Sequence, residues 1–192
     1  MTCIIVLGCF RSGTSAVAGA LHHLGIFMGE KFDPPGENNP KGFWEDLEFK
    51  RIHQICDDCL IDSYENQWKD FEDEYKSLIQ KREQHPIWGI KDPLLCRQLP
   101  TLLEYVITSK VIVCRRPIRE IAKSMARAIR SNDWSLFEPL AKGYVDDMNL
   151  SLSKYQGPVL EVQKTDNMLQ SLDSICDFVG LPKNQAVIDF LS

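Results

Sequence analysis

The sequence predicts an α/β fold, a three-layer α/β/α sandwich around a mainly parallel sheet of the P-loop type. Three observations predict it. An apolar β-rich run at residues 2–7 (TCIIVL) leads straight into a glycine loop and then into a helical pattern, the order in which a strand feeds a phosphate-binding loop. Three more strand-like runs follow: IWGI at 87–90, KVIVC at 110–114 and GPVLEV at 157–162. Helical patterns separate them, and alternating strands and helices imply parallel pairing with crossover helices on both faces. The length of 192 residues suits one domain with a sizeable core and falls short of two, so residues 1–192 are expected to form a single domain.

The elements follow in order. After residues 8–13, Val17, Ala18, Leu21 and Leu24 recur at helical spacing, and Gly25 supplies the stop. Residues 29–42 (GEKFDPPGENNPKG) carry the Gly, Pro and Asn of a long loop. Helical patterns span Glu45 to Leu60 and Trp68 to Arg82, and LLEYV ends another helix. Pro117 suits the first turn of a helix whose apolar face is Ile118, Ile121, Ala122, Met125 and Ile129. MLQSLDSICDFVGLP, 168–182, reads as an amphipathic helix closed by Gly180 and Pro182. No internal repeat, linker or low-complexity tract interrupts the chain.

Composition narrows the function. Hydrophobic residues make up 44% and charged residues 26%, as in an ordinary globular protein. A net charge of −5 argues against a nucleic-acid partner, so any anion site must be built locally. No apolar run approaches the roughly 20 residues of a transmembrane helix. The apolar N-terminus has no basic residue before it and Arg11 after it, and so reads as a first strand rather than a signal peptide. Seven scattered cysteines fit buried reduced thiols and a cytoplasmic location. His53, Cys56 and Cys59 are the nearest approach to a metal cluster, but they spread around a helix and no second cluster completes them, so no metal is expected.

Two constellations carry chemistry. Gly8 to Ser15 (GCFRSGTS) has the spacing of a P-loop with Thr14 where the lysine belongs. Backbone N–H groups from Arg11 to Ser15, at a helix start, form an anion cradle, and the Arg11 cation and the Thr14 and Ser15 hydroxyls add to it. Without the lysine that reaches β- and γ-phosphates, nucleoside triphosphate hydrolysis is disfavoured. The second stretch is residues 111–125 (VIVCRRPIREIAKSM). Arg115 and Arg116 stand where a strand ends, on the side where open parallel sheets bind ligands. Cations crowd a helix N-terminus that is already positive, which makes sense if an anion joins them.

Together these motifs resemble those of sulfotransferases that use 3′-phosphoadenosine 5′-phosphosulfate, in particular the small prokaryotic type. NPKGFWED, WGIKDP and the segment VLEVQKTDNMLQSLDSICDFVGLP are similar to further stretches of that family, so the likeness touches most of the chain. The family's Tyr-Glu-Asp-Leu stretch is not clear in the last of these. The resemblance implies that Arg11, Ser12, Gly13, Thr14 and Ser15 hold the 5′-phosphosulfate, and that an arginine and Ser124 hold the 3′-phosphate. Arg115 to Ser124 is one residue longer than the family spacing. Either the turn carries an extra residue or Arg116 takes the role, and Arg115, at the strand end, is assigned. A phosphosulfate has no γ-phosphate, which explains the missing lysine.

The acceptor needs a base. Glu45, in GFWED, follows the long loop beside Phe43 and Trp44, an aromatic setting that favours a raised pKa. As a plain structural element Glu45 would favour a helix N-terminus. Asp92 is the competing base. Lys91, which ends the second strand, resembles the family's lysine near the transferring group. His22 and His23 are read as surface or packing residues. Trp134 and Phe137 are candidates for the acceptor pocket, with core packing preferred.

The expected function is sulfuryl transfer from the phosphosulfate to a hydroxyl or amine of a small-molecule, glycan or lipid acceptor, with Glu45, Lys91 and Arg11 catalytic. Two alternatives stand beside it: a P-loop nucleotide or small-molecule kinase with Asp92 as metal ligand, and a catalytically silent nucleotide-binding module.

Overall fold

In the computed structural model, four strands form a wholly parallel sheet: β1 (Thr2–Leu7), β2 (Ile87–Lys91), β3 (Ser109–Arg115) and β4 (Val159–Gln163). Their spatial order is β2-β1-β3-β4, with Ile5 opposite both Ile90 and Val111, and Val113 opposite Glu161. The structure describes all residues except Asn38, Ser63, Tyr64 and Asp166, and all side chains except those of residues 58–70 as well. The eight described helices are α1 (Thr14–His23), α2 (Leu47–Asp62), α3 (Glu65–Arg82), α4 (Leu95–Leu103), α5 (Ile118–Ala128), α6 (Glu138–Lys154), α7 (Leu172–Val179) and α8 (Gln185–Leu191).

Strand alternation sorts the helices into two layers. Cys3, Ile5, Leu7, Val111 and Val113 point to one face, where they pack with Phe49 of α2, Ile79 of α3, Leu99 of α4, Ile121 of α5 and Met148 of α6. Ile4, Val6, Ile112 and Cys114 point to the other, against Val17 and Leu21 of α1, Ile175 of α7 and Val187 of α8. Both faces of β1 and β3 are therefore covered, which is why their sequences are continuous apolar runs rather than alternating ones.

The topology also fixes where a ligand can sit. The chain leaves β1 toward β2 on one side and leaves β3 toward β4 on the other. The crevice between these diverging connections opens at the carboxyl ends of β1 and β3.

Two helices went unread in the sequence. The α6 stretch is punctuated by Pro139 and Gly143, yet Ala141, Tyr144, Met148 and Ser151 are buried along it. In α8 only Val187 is buried, too little for a periodic signal. Between α5 and α6 the chain makes a short 3-10 turn at Ser135–Phe137, and another, Met168–Ser171, leads into α7.

Candidate functional site

The site begins with the turn after β1. A Cβ on Gly8 would lie 2.6 Å from Ser12 Oγ and 3.0 Å from the Cys114 carbonyl, so only glycine lets the loop fold this close to β3. Ser12 closes the turn: its N–H and its hydroxyl both donate to the Cys9 carbonyl, at 3.1 and 2.6 Å. Arg11 takes a left-handed φ of 67° and Gly13 one of 94°, which reverses the chain into α1. The first-turn amides of α1, at Thr14 and Ser15, have no intrahelical acceptor and make an anion cradle.

A second cationic group meets this loop from β3. Arg116 Nη1 donates to the Arg11 carbonyl at 2.7 Å, and Arg11 Nε donates to Ser124 Oγ on α5 at 3.2 Å. Loop, strand end and helix are thus tied together by the residues expected to bind the anion. Burial, followed by the charges of Arg116 and Arg127, pushes the pKa of Arg11 below its ordinary value. Like charges held this close call for an anion between them.

On the opposite side stand Lys91 and Glu45. Lys91 Nζ, buried at the end of β2, donates to Glu45 Oε1 at 2.5 Å, to the Phe43 carbonyl at 3.2 Å and to Ser15 Oγ at 3.4 Å. Glu45 Oε2 lies 3.4 Å from Lys50, which also pairs with Asp33. Glu45 does not cap α2. That task falls to Asp46, whose Oδ1 accepts the Glu48 N–H at 3.0 Å while Oδ2 binds buried Arg82 at 2.6 Å. Trp44, at a left-handed φ of 58°, turns the chain so that neighbouring carboxylates serve different partners.

These groups surround one cavity of about 210 Å³. Arg11, Gly13, Thr14, Ser15, Lys91 and Ser124 line it, with Glu45 and Arg116. Phe10, Asn39, Phe43 and Pro93 also line it, as do Ala16 and Lys164. Three residues singled out in the sequence lie elsewhere. Ser12 is buried with its side chain turned to Cys9. Arg115 shares the strand parity of Val111 and Val113, so its side chain runs to that face, where it meets Glu161 Oε1 at 2.8 Å and Asn149 Oδ1 at 2.6 Å. Arg116, one residue beyond the strand, is the arginine that reaches the cavity, and it stands eight residues before Ser124. Asp92 accepts from the Leu94 N–H at 2.9 Å and meets His53 Nδ1 at 2.9 Å, away from the cavity.

The resulting arrangement is a lysine-free P-loop facing an Arg/Ser pair across a parallel-sheet crevice, and the chain's fold has known counterparts. The sulfotransferase domain of the Synechococcus PCC 7002 olefin synthase superposes with a TM-score of 0.60 over 100% of this chain and 78% of its own, at 18% identity. Sulfotransferase STF1 from Mycobacterium tuberculosis H37Rv gives 0.54 over 98% and 70%, at 14% identity. The chain has the sulfotransferase fold. No protein-family model and no curated protein matches it by sequence.

Within this sulfotransferase fold the remaining candidates have packing partners. His22 stacks toward Trp44 with centroids 4.7 Å apart, and His23 toward Phe190 at 4.7 Å, in an aromatic corner joining α1 and α8. Trp134 carries the Arg119 guanidinium at 4.8 Å, and Phe137 packs on the core. Both His53 ring nitrogens are engaged, by Asp92 and by Tyr75 Oη at 3.2 Å, while Cys59 lies outside the described side chains. Among the described residues no three His, Cys, Asp or Glu side chains converge for a metal. Burial pushes the Cys9 thiol up to about 12, which favours the neutral thiol at this place beside the loop. Among the described residues no helix is long and apolar enough to cross a membrane.

Sequence reading missed Lys164. It lines the cavity from just beyond β4, its N–H bonded to the Arg115 carbonyl at 2.8 Å. The rule that ligands sit at strand carboxyl ends, applied to the fourth strand as well as the first three, points to it.

Proposed function

We propose that the protein transfers a sulfuryl group from 3′-phosphoadenosine 5′-phosphosulfate to a hydroxyl or amine of an acceptor. The observation that carries the proposal is the pair of adjoining anion sites: the α1 amides with Arg11, and Arg116 with Ser124, joined through the Arg11–Ser124 hydrogen bond. A donor with anionic groups at both 5′ and 3′ positions matches two such sites. A triphosphate does not, because Thr14 replaces the loop lysine and Asp92, the metal ligand a kinase would use, faces His53.

When bound, the donor supplies an activated sulfuryl group whose leaving group is a phosphate. The Thr14 and Ser15 amides, Arg11 and Lys91 hold negative charge at the loop, and they are set in place before reaction by the hydrogen bonds described above. Arg116 and Ser124 bind the 3′-phosphate, which fixes the donor without touching the reacting bond. Glu45 accepts the acceptor's proton, with Oε2 the less tightly engaged oxygen. Phe10, Phe43 and Pro93 give the same cavity an apolar wall against which an acceptor can pack.

Calorimetry tests the reading. Adenosine 3′,5′-bisphosphate is expected to bind at least about 10-fold more tightly than adenosine 5′-monophosphate, since each charged hydrogen bond to the 3′-phosphate contributes roughly 1.5–3 kcal/mol. Equal affinities would remove the 3′ site and the proposal with it.

A further inference from the structure

The loop lacks its own lysine, yet a lysine lies across it. The aliphatic stem of Lys164 packs on the Gly13 Cα: a Cβ built there would meet Lys164 Cδ at 2.6 Å and Cγ at 3.4 Å. The same side chain lines the cavity together with Arg11, Thr14, Ser15, Arg116 and Ser124. Its base is rigid, because the Lys164 N–H continues the β4–β3 pairing through the Arg115 carbonyl at 2.8 Å. Among the described residues its ammonium donates to a backbone carbonyl of its own loop, that of Thr165, and an ammonium carries two further N–H donors. Arg11, Arg116 and Lys164 thus line one cavity with the loop amides, a set of cationic and N–H groups suited to an anion.

We infer that Lys164 is a further binding residue, which places an ammonium from the end of β4 on the donor's 5′-phosphate, a role distinct from that of a P-loop lysine on β- and γ-phosphates. Lys91 comes from β2 on one side of the loop and Lys164 from β4 on the other, so the 5′ group sits between two lysines carried by the sheet rather than by α1. Gly13 thereby has two duties: its φ of 94° turns the loop, and its missing side chain admits the Lys164 stem. The inference rests on the donor reading given above and is separable from it.

The test is calorimetry with adenosine 3′,5′-bisphosphate and adenosine 3′-monophosphate on the wild type, Lys164→Ala and Lys164→Arg. The Lys164→Ala variant is expected to bind the bisphosphate roughly 10- to 100-fold more weakly while the 3′-monophosphate changes by less than about 2-fold, the range for one charged hydrogen bond aimed at the 5′ group. Lys164→Arg is expected to recover most of the loss. A second variant, Lys164→Met, keeps an apolar stem on Gly13 and removes the ammonium, and should lower the bisphosphate affinity in the same selective way. Equal losses on both ligands, or none on either, overturn the role of Lys164. A wild type that ignores the 5′-phosphate overturns instead the donor reading itself.

Discussion

Replacing Arg116 by alanine should damage the site in two places at once. The guanidinium is predicted to bind the 3′-phosphate, and it already holds the Arg11 carbonyl at 2.7 Å, where the backbone sits at a φ of 67°. The lost phosphate contact is worth roughly 1.5–3 kcal/mol, and the lost bond to the loop about 1 kcal/mol more. Together these predict that adenosine 3′,5′-bisphosphate binds about 50- to 1,000-fold more weakly. Arg115→Ala makes the control. Its side chain pairs with Glu161, which is 52% exposed, and a surface pair of that kind contributes about 0–1 kcal/mol to stability and nothing to the ligand. Isothermal calorimetry with the bisphosphate on both variants, alongside thermal unfolding, reads the difference. Weak binding by Arg115→Ala with near-normal binding by Arg116→Ala would refute the reasoning and return the 3′ site to the strand's last residue.

Glu45→Gln should leave bisphosphate affinity nearly intact and reduce turnover by roughly 100-fold or more, the usual scale for a lost general base; Asp92→Asn should instead lower the melting temperature, through the buried His53 contact, while the folded protein keeps the turnover rate of the wild type. The reverse pattern would make Asp92 the base. Arg82→Met should destabilise the fold by about 3–5 kcal/mol in denaturant titration, because it strands buried Asp46 without its counter-charge; a change below about 1 kcal/mol would contradict the pairing described here. Burial opposes the charge on Lys50, but Asp33 and Glu45 outweigh it and raise its pKa above the ordinary 10.5. The folded state therefore binds this proton more tightly than the unfolded one, so its contribution to stability is full below pH 10.5 and lost as pH rises above it. Wild type should lose stability faster than Lys50→Met above that pH, and parallel curves would show that the pair contributes nothing.

Much of the scaffold was legible because its signals are local. The apolar runs of β1 and β3 are buried on both faces, and the loop after β1 is written in glycines whose positions its conformation requires, so periodicity and spacing sufficed. The three-layer arrangement followed from the alternation of strands and helices. Side-chain direction at strand ends was less legible. Choosing between Arg115 and Arg116 depends on where β3 stops, since a one-residue shift moves a side chain from the cavity to the Asn149 side. Glu45 and Asp46 posed the same problem at a helix start, and only the turn at Trp44 separates their partners. Lys164 stayed hidden for another reason. Its meaning comes from contact with Gly13, 151 positions earlier in the chain, and no local pattern records it. Helix α8 has a single buried residue, and its place is set by packing on α1, where a Cβ on Gly19 would lie 2.2 Å from Phe190 Cζ.

The central claim, sulfuryl rather than phosphoryl transfer, can be measured without knowing the acceptor. Phosphoryl transfer from ATP relies on magnesium to neutralise the β- and γ-phosphates, whereas this site offers Arg11, Lys91 and the α1 amides. The measurement is the slow hydrolysis of 3′-phosphoadenosine 5′-phosphosulfate to the 3′,5′-bisphosphate by the purified protein, with and without EDTA, with ATP as the competing donor and Arg11→Ala as the control. The account predicts turnover of the phosphosulfate that EDTA leaves unchanged and Arg11→Ala abolishes. Turnover that requires magnesium, or ATP hydrolysed in preference to the phosphosulfate, would contradict it.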